Sequence, residues 1–124
     1  SKMGASLIVT ARNEERLKDT MSFLEGKDHS YVIADLSFED DINRIVDSLP
    51  VIDGIVLSAG MIKTMPVKNI SSKAIDEIFD VNIISNIKLL SKLLKRKKLA
   101  HSASIVLISS VSTFNVKVGN LLKY

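Results

Sequence analysis

The chain has 124 residues, 46% of them hydrophobic, which suffices for one core of ordinary size and is too few for two domains. It has no cysteine, so disulfides and cysteine-ligated zinc are excluded, and a reducing, cytoplasmic compartment is expected. No apolar run approaches the roughly 20 residues that cross a bilayer, so we expect a soluble protein without a membrane partner. The net charge of +3 is mild and collects in a basic run at 92–98, where cations offset a helix dipole. We therefore expect no nucleic-acid partner.

The first part of the chain predicts a strand, a helix and a second strand. Ser6–Thr10 is a short apolar run, and Asn13 follows it as an N-cap with acidic residues in the first helical turn. Gly26 is expected to end this helix, and Tyr31–Ala34 is the second strand. The predicted buried face of the helix consists of Leu17, Met21 and Leu24.

A second helix and a third strand follow. Ser37 with Asp40 three residues later resembles a capping box, and Pro50 ends the helix. Ile52–Leu57 is then the third strand. The apolar stripe of the helix is Ile42, Ile45, Val46 and Leu49.

A long helix and a fourth strand complete the pattern. The helix is predicted from Ser72 to Lys97, and Ser104–Ile108 is an apolar strand that ends on Ser109 and Ser110. Apolar strands that alternate with helices predict parallel βαβ units in which the strands are buried on both faces. The expected buried residues of the long helix are Ile75, Ile78, Phe79, Ile83, Ile87, Leu90 and Leu94.

Five short motifs give the chain a resemblance to a known family. They are Val9–Asn13, Ala34–Leu36, Ser58–Gly60, Asp80–Asn82 and Ile108–Ser110. Each is common alone, but their order and spacing resemble those of the short-chain dehydrogenase/reductase superfamily over nearly the whole chain. The resemblance implies an α/β fold, a Rossmann-type doubly wound parallel sheet that binds a dinucleotide.

The resemblance also implies that part of the domain is absent. The first strand with its Gly-rich turn and the C-terminal part of the family have no counterpart, so residues 1–124 are expected to form a single partial Rossmann domain. In the doubly wound order, the absent strand lies between Ser6–Thr10 and Ile52–Leu57. Its absence would leave unpaired backbone groups on both sides, and the isolated chain is not expected to fold stably.

The cofactor residues implied by the resemblance follow the first three strands. Arg12 would face the ribose, where a cation suits the 2′-phosphate of NADP; alternatively it is a solvated side chain paired with Glu15. Asp35 and Leu36 resemble the adenine-binding pair, although a strand-end aspartate can also assist the start of the next helix. The small residues Ala59 and Gly60 would let the cofactor lie against the backbone, or form a plain turn.

Ser58 departs from the family, which usually has asparagine at this position. A serine has fewer donors than an asparagine, so some loss of rigidity between the central strands is expected.

The implied catalytic residues come later in the chain. The backbone carbonyl of Asn82 would bind a water linked to the catalytic lysine; the alternative is a structural amide bonded to a neighbouring strand. Ser110 would donate to the substrate oxygen, or else cap loop backbone. Tyr124 lies fourteen positions after Ser110, about the family distance, and would be the catalytic acid, although the preceding leucines are atypical. The lysine partner would fall after Tyr124.

The resemblance thus implies an NADP-dependent oxidoreductase acting on a carbonyl or secondary alcohol, nearest to the 3-oxoacyl-carrier-protein reductase type. A catalytically silent nucleotide-binding or scaffold domain of the same fold is the alternative, and a methyltransferase domain is a third. The long helix has apolar residues nearly all round, including Ile84 and Leu93, which predicts a homodimer or homotetramer unless C-terminal helices cover this face.

Overall fold

Strands and helices alternate through the part of the chain that the structure describes. The computed structural model describes residues 1–109. The strands are β1 (Ile8–Ala11), β2 (Ser30–Ile33), β3 (Ile52–Leu57) and β4 (Leu99–Leu107). The helices are α1 (Glu14–Ser22), α2 (Glu39–Ser48), α3 (Ser72–Phe79) and α4 (Ser85–Lys95), with a short 3₁₀ turn at Val67–Asn69 and a π-helical turn at Asp80–Ile84 between α3 and α4.

The strands pair in parallel, as predicted, but in two separate sheets. β1 pairs with β2, and β3 pairs with β4. Within residues 1–109, β1 and β3 are not hydrogen-bonded to each other. Each sheet therefore ends in an open edge on the side where the doubly wound order places one more strand, in agreement with the expected partial Rossmann domain.

Gly54 allows β3 and β4 to approach closely. A Cβ at this position would stand 3.2 Å from the carbonyl oxygen of Ser104, its partner in the ladder. The register shifts between Ile52 and Gly54, so β4 contains an irregularity beside the start of β3. A larger residue at Gly54 would force these two strands apart.

One hydrophobic core joins the two sheets. Helices α2 and α4 pack against each other, and the predicted stripe of α2 is confirmed because all four residues are buried. Ala34 after β2 and Leu57 of β3 lie in the same cluster as these helices, so the helical layer links both sheets. The core consists of Ala34, Ile42, Ile45, Val46, Leu49, Leu57, Leu89 and Leu93.

The start of α1 is as predicted, whereas the capping box of α2 is wrong. The Asn13 side chain accepts a hydrogen bond from the backbone N–H of Arg16, which caps α1. Helix α2 instead begins after Phe38, which makes no side-chain capping bond. The backbone N–H of Ser37 donates to Oδ1 of Asp35 at 2.9 Å, so this segment forms an aspartate turn and the helix starts one residue later.

The predicted long helix is interrupted, and its buried face matches the prediction only in part: Ile78 is buried as predicted, and Leu90 is half-buried against the core. Ser85 and Asn86 are buried, which is possible because their side chains donate to backbone carbonyls one turn earlier, at 2.8 and 2.9 Å. The π-helical turn adds a residue to the repeat, and apolar residues surround α4, so spacing alone does not identify its inner face. The buried residues are Ala74, Ile78, Ser85, Asn86, Leu89 and Leu93; of those predicted, Ile75, Phe79, Ile83, Ile87 and Leu94 are exposed.

The strands are not buried on both faces within residues 1–109. Val56 and Leu107, at the ends of β3 and β4, are 61% and 68% exposed, although both lie in the middle of apolar runs. Helices α2 and α4 cover the other face. No helix in the described part of the chain is long and apolar enough to cross a membrane.

Candidate functional site

The carboxyl ends of β1 and β2 bring two predicted cofactor residues together. The backbone N–H of Ala34 donates to the carbonyl of Ala11 at 3.0 Å, so the two strands stay paired to their ends. Arg12 and Asp35 follow directly, and Arg12 Nη1 lies 3.6 Å from Asp35 Oδ2. The Arg12 ion pair is thus with Asp35 and not with Glu15, the alternative partner.

Asp35 is held by two hydrogen bonds, one to its side-chain carboxylate and one from its backbone N–H. Its Oδ1 accepts from the N–H of Ser37, and its backbone N–H donates to Oδ2 of Asp41 at 2.7 Å. The Asp35 side chain is 27% exposed, so it is only partly shielded from solvent. Leu36 is half-buried and packs against the core, which anchors the segment after β2.

The ends of β3 and β4 form a second group. The backbone N–H of Ile108 donates to the carbonyl of Leu57 at 3.0 Å, so the pairing continues beyond both strands. The Ser58–Gly60 segment is exposed at this edge, and Ser109 follows Ile108 at the same edge. Small exposed residues here leave room for a flat ligand against the backbone.

Asn82 is bonded to the loop that follows Ser58–Gly60. Its Oδ1 accepts from the backbone N–H of Met61 at 2.7 Å, and its Nδ2 donates to the Met61 carbonyl at 3.0 Å. A Cβ on Gly60 would stand 3.4 Å from Asn82 Oδ1, so the glycine gives the amide its space. The side chain therefore has the structural role that was the alternative interpretation of Asn82.

The backbone carbonyl of Asn82 also has a partner. It accepts from Nδ2 of Asn86 at 2.9 Å, while Oδ1 of Asn86 is buried without a hydrogen-bond partner in the described part of the chain. The predicted water would have to share this carbonyl with the Asn86 side chain. The water relay stays a prediction.

Two predicted catalytic residues, Ser110 and Tyr124, lie outside the described residues. The predicted site residues within residues 1–109 fall into two groups, one at the edge of each sheet. Asn86, Asp41 and Arg44 were not predicted. An amide four residues after Asn82 and an Asp–Arg pair three residues apart on one helix were the available signals.

The alternation of parallel strands and helices and the position of these strand ends define an α/β domain of the Rossmann type. The family model described as "short chain dehydrogenase" matches residues 1–124. The chain therefore belongs to the short-chain dehydrogenase family, and the methyltransferase interpretation is wrong.

Curated relatives agree with this family. A 3-oxoacyl-[acyl-carrier-protein] reductase FabG from Rickettsia felis is 24% identical over 110 residues, which is 89% of this chain and 45% of the relative. An uncharacterised oxidoreductase from Staphylococcus epidermidis is 29% identical over 118 residues, 92% of this chain and 51% of the relative. The chain thus spans about half the length of these relatives.

Solved structures show the same fold. A short-chain dehydrogenase/reductase described as a glucose/ribitol dehydrogenase, from Brucella melitensis, superposes with a TM-score of 0.82 at 24% identity, covering 96% of this chain and 52% of that one. The closed form of a serine dehydrogenase complexed with NADP+ gives a TM-score of 0.74 at 24% identity, covering 95% and 49%. These similarities confirm the Rossmann-type fold.

Proposed function

We propose that residues 1–124 belong to an NADP-dependent oxidoreductase that moves a hydride between the cofactor and a carbonyl or secondary alcohol. The observation that carries this proposal is the Arg12–Asp35 pair at the ends of β1 and β2, in a chain of the short-chain dehydrogenase family. A cytoplasmic location accords with the absence of cysteine and is part of the same proposal.

The Arg12–Asp35 pair suits the adenosine end of NADP. Arg12 follows β1 directly and its side chain is 65% exposed, so its guanidinium can contact a phosphate on the 2′ position of the ribose. The partly exposed Asp35 carboxylate can accept from the adenine amine, with Leu36 supplying backbone beside the ring. A neutral 2′-hydroxyl would not need a cation here, which is why NADP is favoured over NAD.

The second sheet edge suits the nicotinamide end. Ala59 and Gly60 are exposed beside Ser109, and side chains this small let a ring and its ribose lie on the backbone. Asn82 fixes the loop after Gly60 by its two bonds to Met61. No described residue forms a glycine-rich cradle for the diphosphate, so the fit concerns the two ends of the cofactor.

The proposed reaction needs little from the protein beyond orientation and one proton. A bound nicotinamide supplies the hydride to the carbonyl carbon. The hydroxyl of Ser110 donates a hydrogen bond to the carbonyl oxygen, where negative charge develops, and Tyr124 gives that oxygen its proton. The name of the Rickettsia relative favours a 3-oxoacyl thioester as the substrate class.

Replacing Arg12 with Asp tests the cofactor assignment in the native protein that carries this sequence. We expect NADPH binding to weaken by about 1 to 3 kcal/mol, because a charge-assisted hydrogen bond is lost and a repulsion is added. NADH binding should change much less. The two dissociation constants can be measured by titration of cofactor fluorescence.

Arg16→Asp is the matched control, since it makes the same charge change at an exposed position on the neighbouring helix. It should leave both dissociation constants nearly unchanged. Equal losses for NADPH and NADH in Arg12→Asp would show that Arg12 does not contact the 2′-phosphate.

We also propose that the native protein is a homodimer or a tetramer of dimers through α4. The predicted pair of interface residues needs a correction, because Leu93 is fully buried in this chain's own core while Ile84 is exposed. Ile83 of the π-helical turn and Ile87 and Leu94 of α4 are exposed instead, on a face that borders a groove shared with Leu57 and Leu107. A second apolar stripe of this kind is typical of a helix that packs against a partner.

Ile87→Lys is expected to lower the mass of the native protein to that of a smaller assembly in light scattering, because a lysine ammonium would be buried at the interface. Ile87→Leu, which keeps the apolar surface, should leave the mass unchanged. A folded Ile87→Lys variant of unchanged mass would show that other segments of the same subunit cover this face.

A further inference from the structure

We propose that Asp41 and Arg44 of α2 are positioning residues for the adenine end of the cofactor site. Together they hold the end of β2, from which Asp35 presents its carboxylate. The inference rests on the proposed function, because it takes Asp35 as the residue that accepts a hydrogen bond from the adenine amine.

Asp41 and Arg44 satisfy the two backbone groups that β2 leaves open at its end. The N–H of Ala34 points toward β1, where it donates to Ala11. The carbonyl of Ile33 and the N–H of Asp35 therefore point to the opposite edge of β2, since successive backbone groups of a strand alternate in direction. Within residues 1–109, no strand pairs with that edge.

Helix α2 supplies the missing partners. Arg44 Nη1 donates to the carbonyl oxygen of Ile33 at 2.7 Å, and Asp41 Oδ2 accepts from the N–H of Asp35 at 2.7 Å. Arg44 Nη2 donates to the other carboxylate oxygen of Asp41, so the two side chains also bind each other. Together with the backbone from Ile33 to Asp35, these three hydrogen bonds close a ring that ties the end of β2 to the first turns of α2.

The ring is charged, which strengthens it. The backbone N–H of Asp35 and, next, the Arg44 guanidinium lower the pKa of the Asp41 carboxyl. Asp41 is therefore ionised at neutral pH, and both of its hydrogen bonds are charge-assisted. The Asp41 side chain is only 26% exposed, so water competes less for it than for a fully solvated carboxylate.

The ring restricts the residue that is proposed to bind adenine. Asp35 is fixed on one side through its N–H to Asp41, and its carboxylate is fixed on the other by the N–H of Ser37. Without Asp41, the N–H of Asp35 would lose its protein partner and the end of β2 would be held less firmly, so ordering it would oppose binding. Adenine is common to NADPH and NADH, so loss of the ring should weaken both to the same extent, unlike loss of Arg12.

Asp41→Ala in the native protein that carries this sequence tests the positioning role. We expect the dissociation constants of NADPH and NADH to rise together by about 3- to 10-fold, with kcat at saturating cofactor unchanged. Asp41→Asn should recover part of the affinity, because its amide oxygen can still accept from Asp35 while its NH2 group can no longer accept from Arg44. Asp40→Ala is the matched control: it removes an exposed aspartate from the same helical turn and should change neither constant.

Three results would overturn the inference: an unchanged affinity in Asp41→Ala, an equal loss in Asp40→Ala, or a loss confined to NADPH. If Asp41→Ala does not fold, Arg44→Gln opens the same ring from its other side and must raise both constants in parallel. Asp35→Ala separates this inference from the proposed function. If Asp35→Ala leaves adenine nucleotide binding intact, the proposed cofactor site is wrong. If Asp35→Ala weakens binding but the Asp41 and Arg44 variants leave it intact, only the positioning role is wrong.

Discussion

The purified chain of 124 residues is expected to show no cooperative thermal transition. Its described strands form two sheets of two strands each, and an isolated pair of strands is at best marginally stable in water. β1 and β3 each present an open edge, and backbone groups there have water as their only partner. Within residues 1–109, the two sheets are connected through the core that α2 and α4 form with them.

The exposed apolar surface supports the same expectation. Val56, Leu107 and Ile108 all lie more than half exposed on or beside β3 and β4, where a sheet of this class is normally covered. Such a chain can keep its helices and still lack fixed packing, so we expect it to bind hydrophobic dyes and to have a shallow denaturant slope.

Calorimetry and circular dichroism of the isolated chain, beside the native protein that carries it, provide the measurement. The native protein should melt cooperatively, with a free energy of unfolding on the order of 5–15 kcal/mol, and the isolated chain should not. A sharp calorimetric melt of the isolated chain with an ordinary denaturant slope would contradict the inferred gap between β1 and β3.

The first three strands and α2 could be predicted from the sequence because each carries a single clear signal, whereas β4 begins at Leu99, five residues before the predicted start at Ser104. β3 has the predicted bounds, since an apolar run lies there between Pro50 and the small residues after Leu57. Charged and polar residues occupy the other positions of α2, so only the face with the apolar stripe can be buried. The parallel pairing follows from the alternation of strands and helices.

The inner face of α4 could not be predicted in the same way. Leucines and isoleucines surround this helix, so several helical faces are equally apolar, and the true face contains Ser85 and Asn86. These polar residues are buried only because their side chains bond to Val81 and Asn82 on the preceding turn. Such compensation depends on three-dimensional contacts that hydrophobic spacing does not register.

The site shows the same division. Motifs at strand ends led to Arg12 and Asp35, because the carboxyl ends of parallel strands meet at one edge of a sheet. The contribution of Asp41 and Arg44 depends on which backbone groups at the edge of β2 are unpaired. The structure identifies these groups because it shows that the N–H of Ala34 donates to β1. Sequence patterns thus locate groups that face a ligand more readily than those that hold them in place.

Tyr124→Phe is expected to lower kcat of the native protein by about 10²- to 10⁴-fold, the usual contribution of general acid catalysis. Phenylalanine keeps the ring but cannot give a proton to the substrate oxygen. Binding of NADPH should be unchanged, since phenylalanine keeps the ring and none of the proposed cofactor-binding residues is altered. Steady-state kinetics with a 3-oxoacyl thioester and a separate cofactor titration provide the two readouts.

The position of Tyr124 in the chain supports this expectation. Ser109 follows β4 at the edge beside Gly60, and in the sequence Ser110 comes next, with Tyr124 fourteen positions after it. A free phenol has a pKa of about 10, so its use at neutral pH requires a nearby cation, for which the family has a lysine shortly after the tyrosine. The chain's other tyrosine, Tyr31, bonds through its hydroxyl to Glu14 at the surface, which makes Tyr31→Phe the matched control with unchanged kcat. Full activity in Tyr124→Phe would exclude this residue as the proton donor, whereas a native protein that binds NADPH but reduces no carbonyl would favour the silent nucleotide-binding domain.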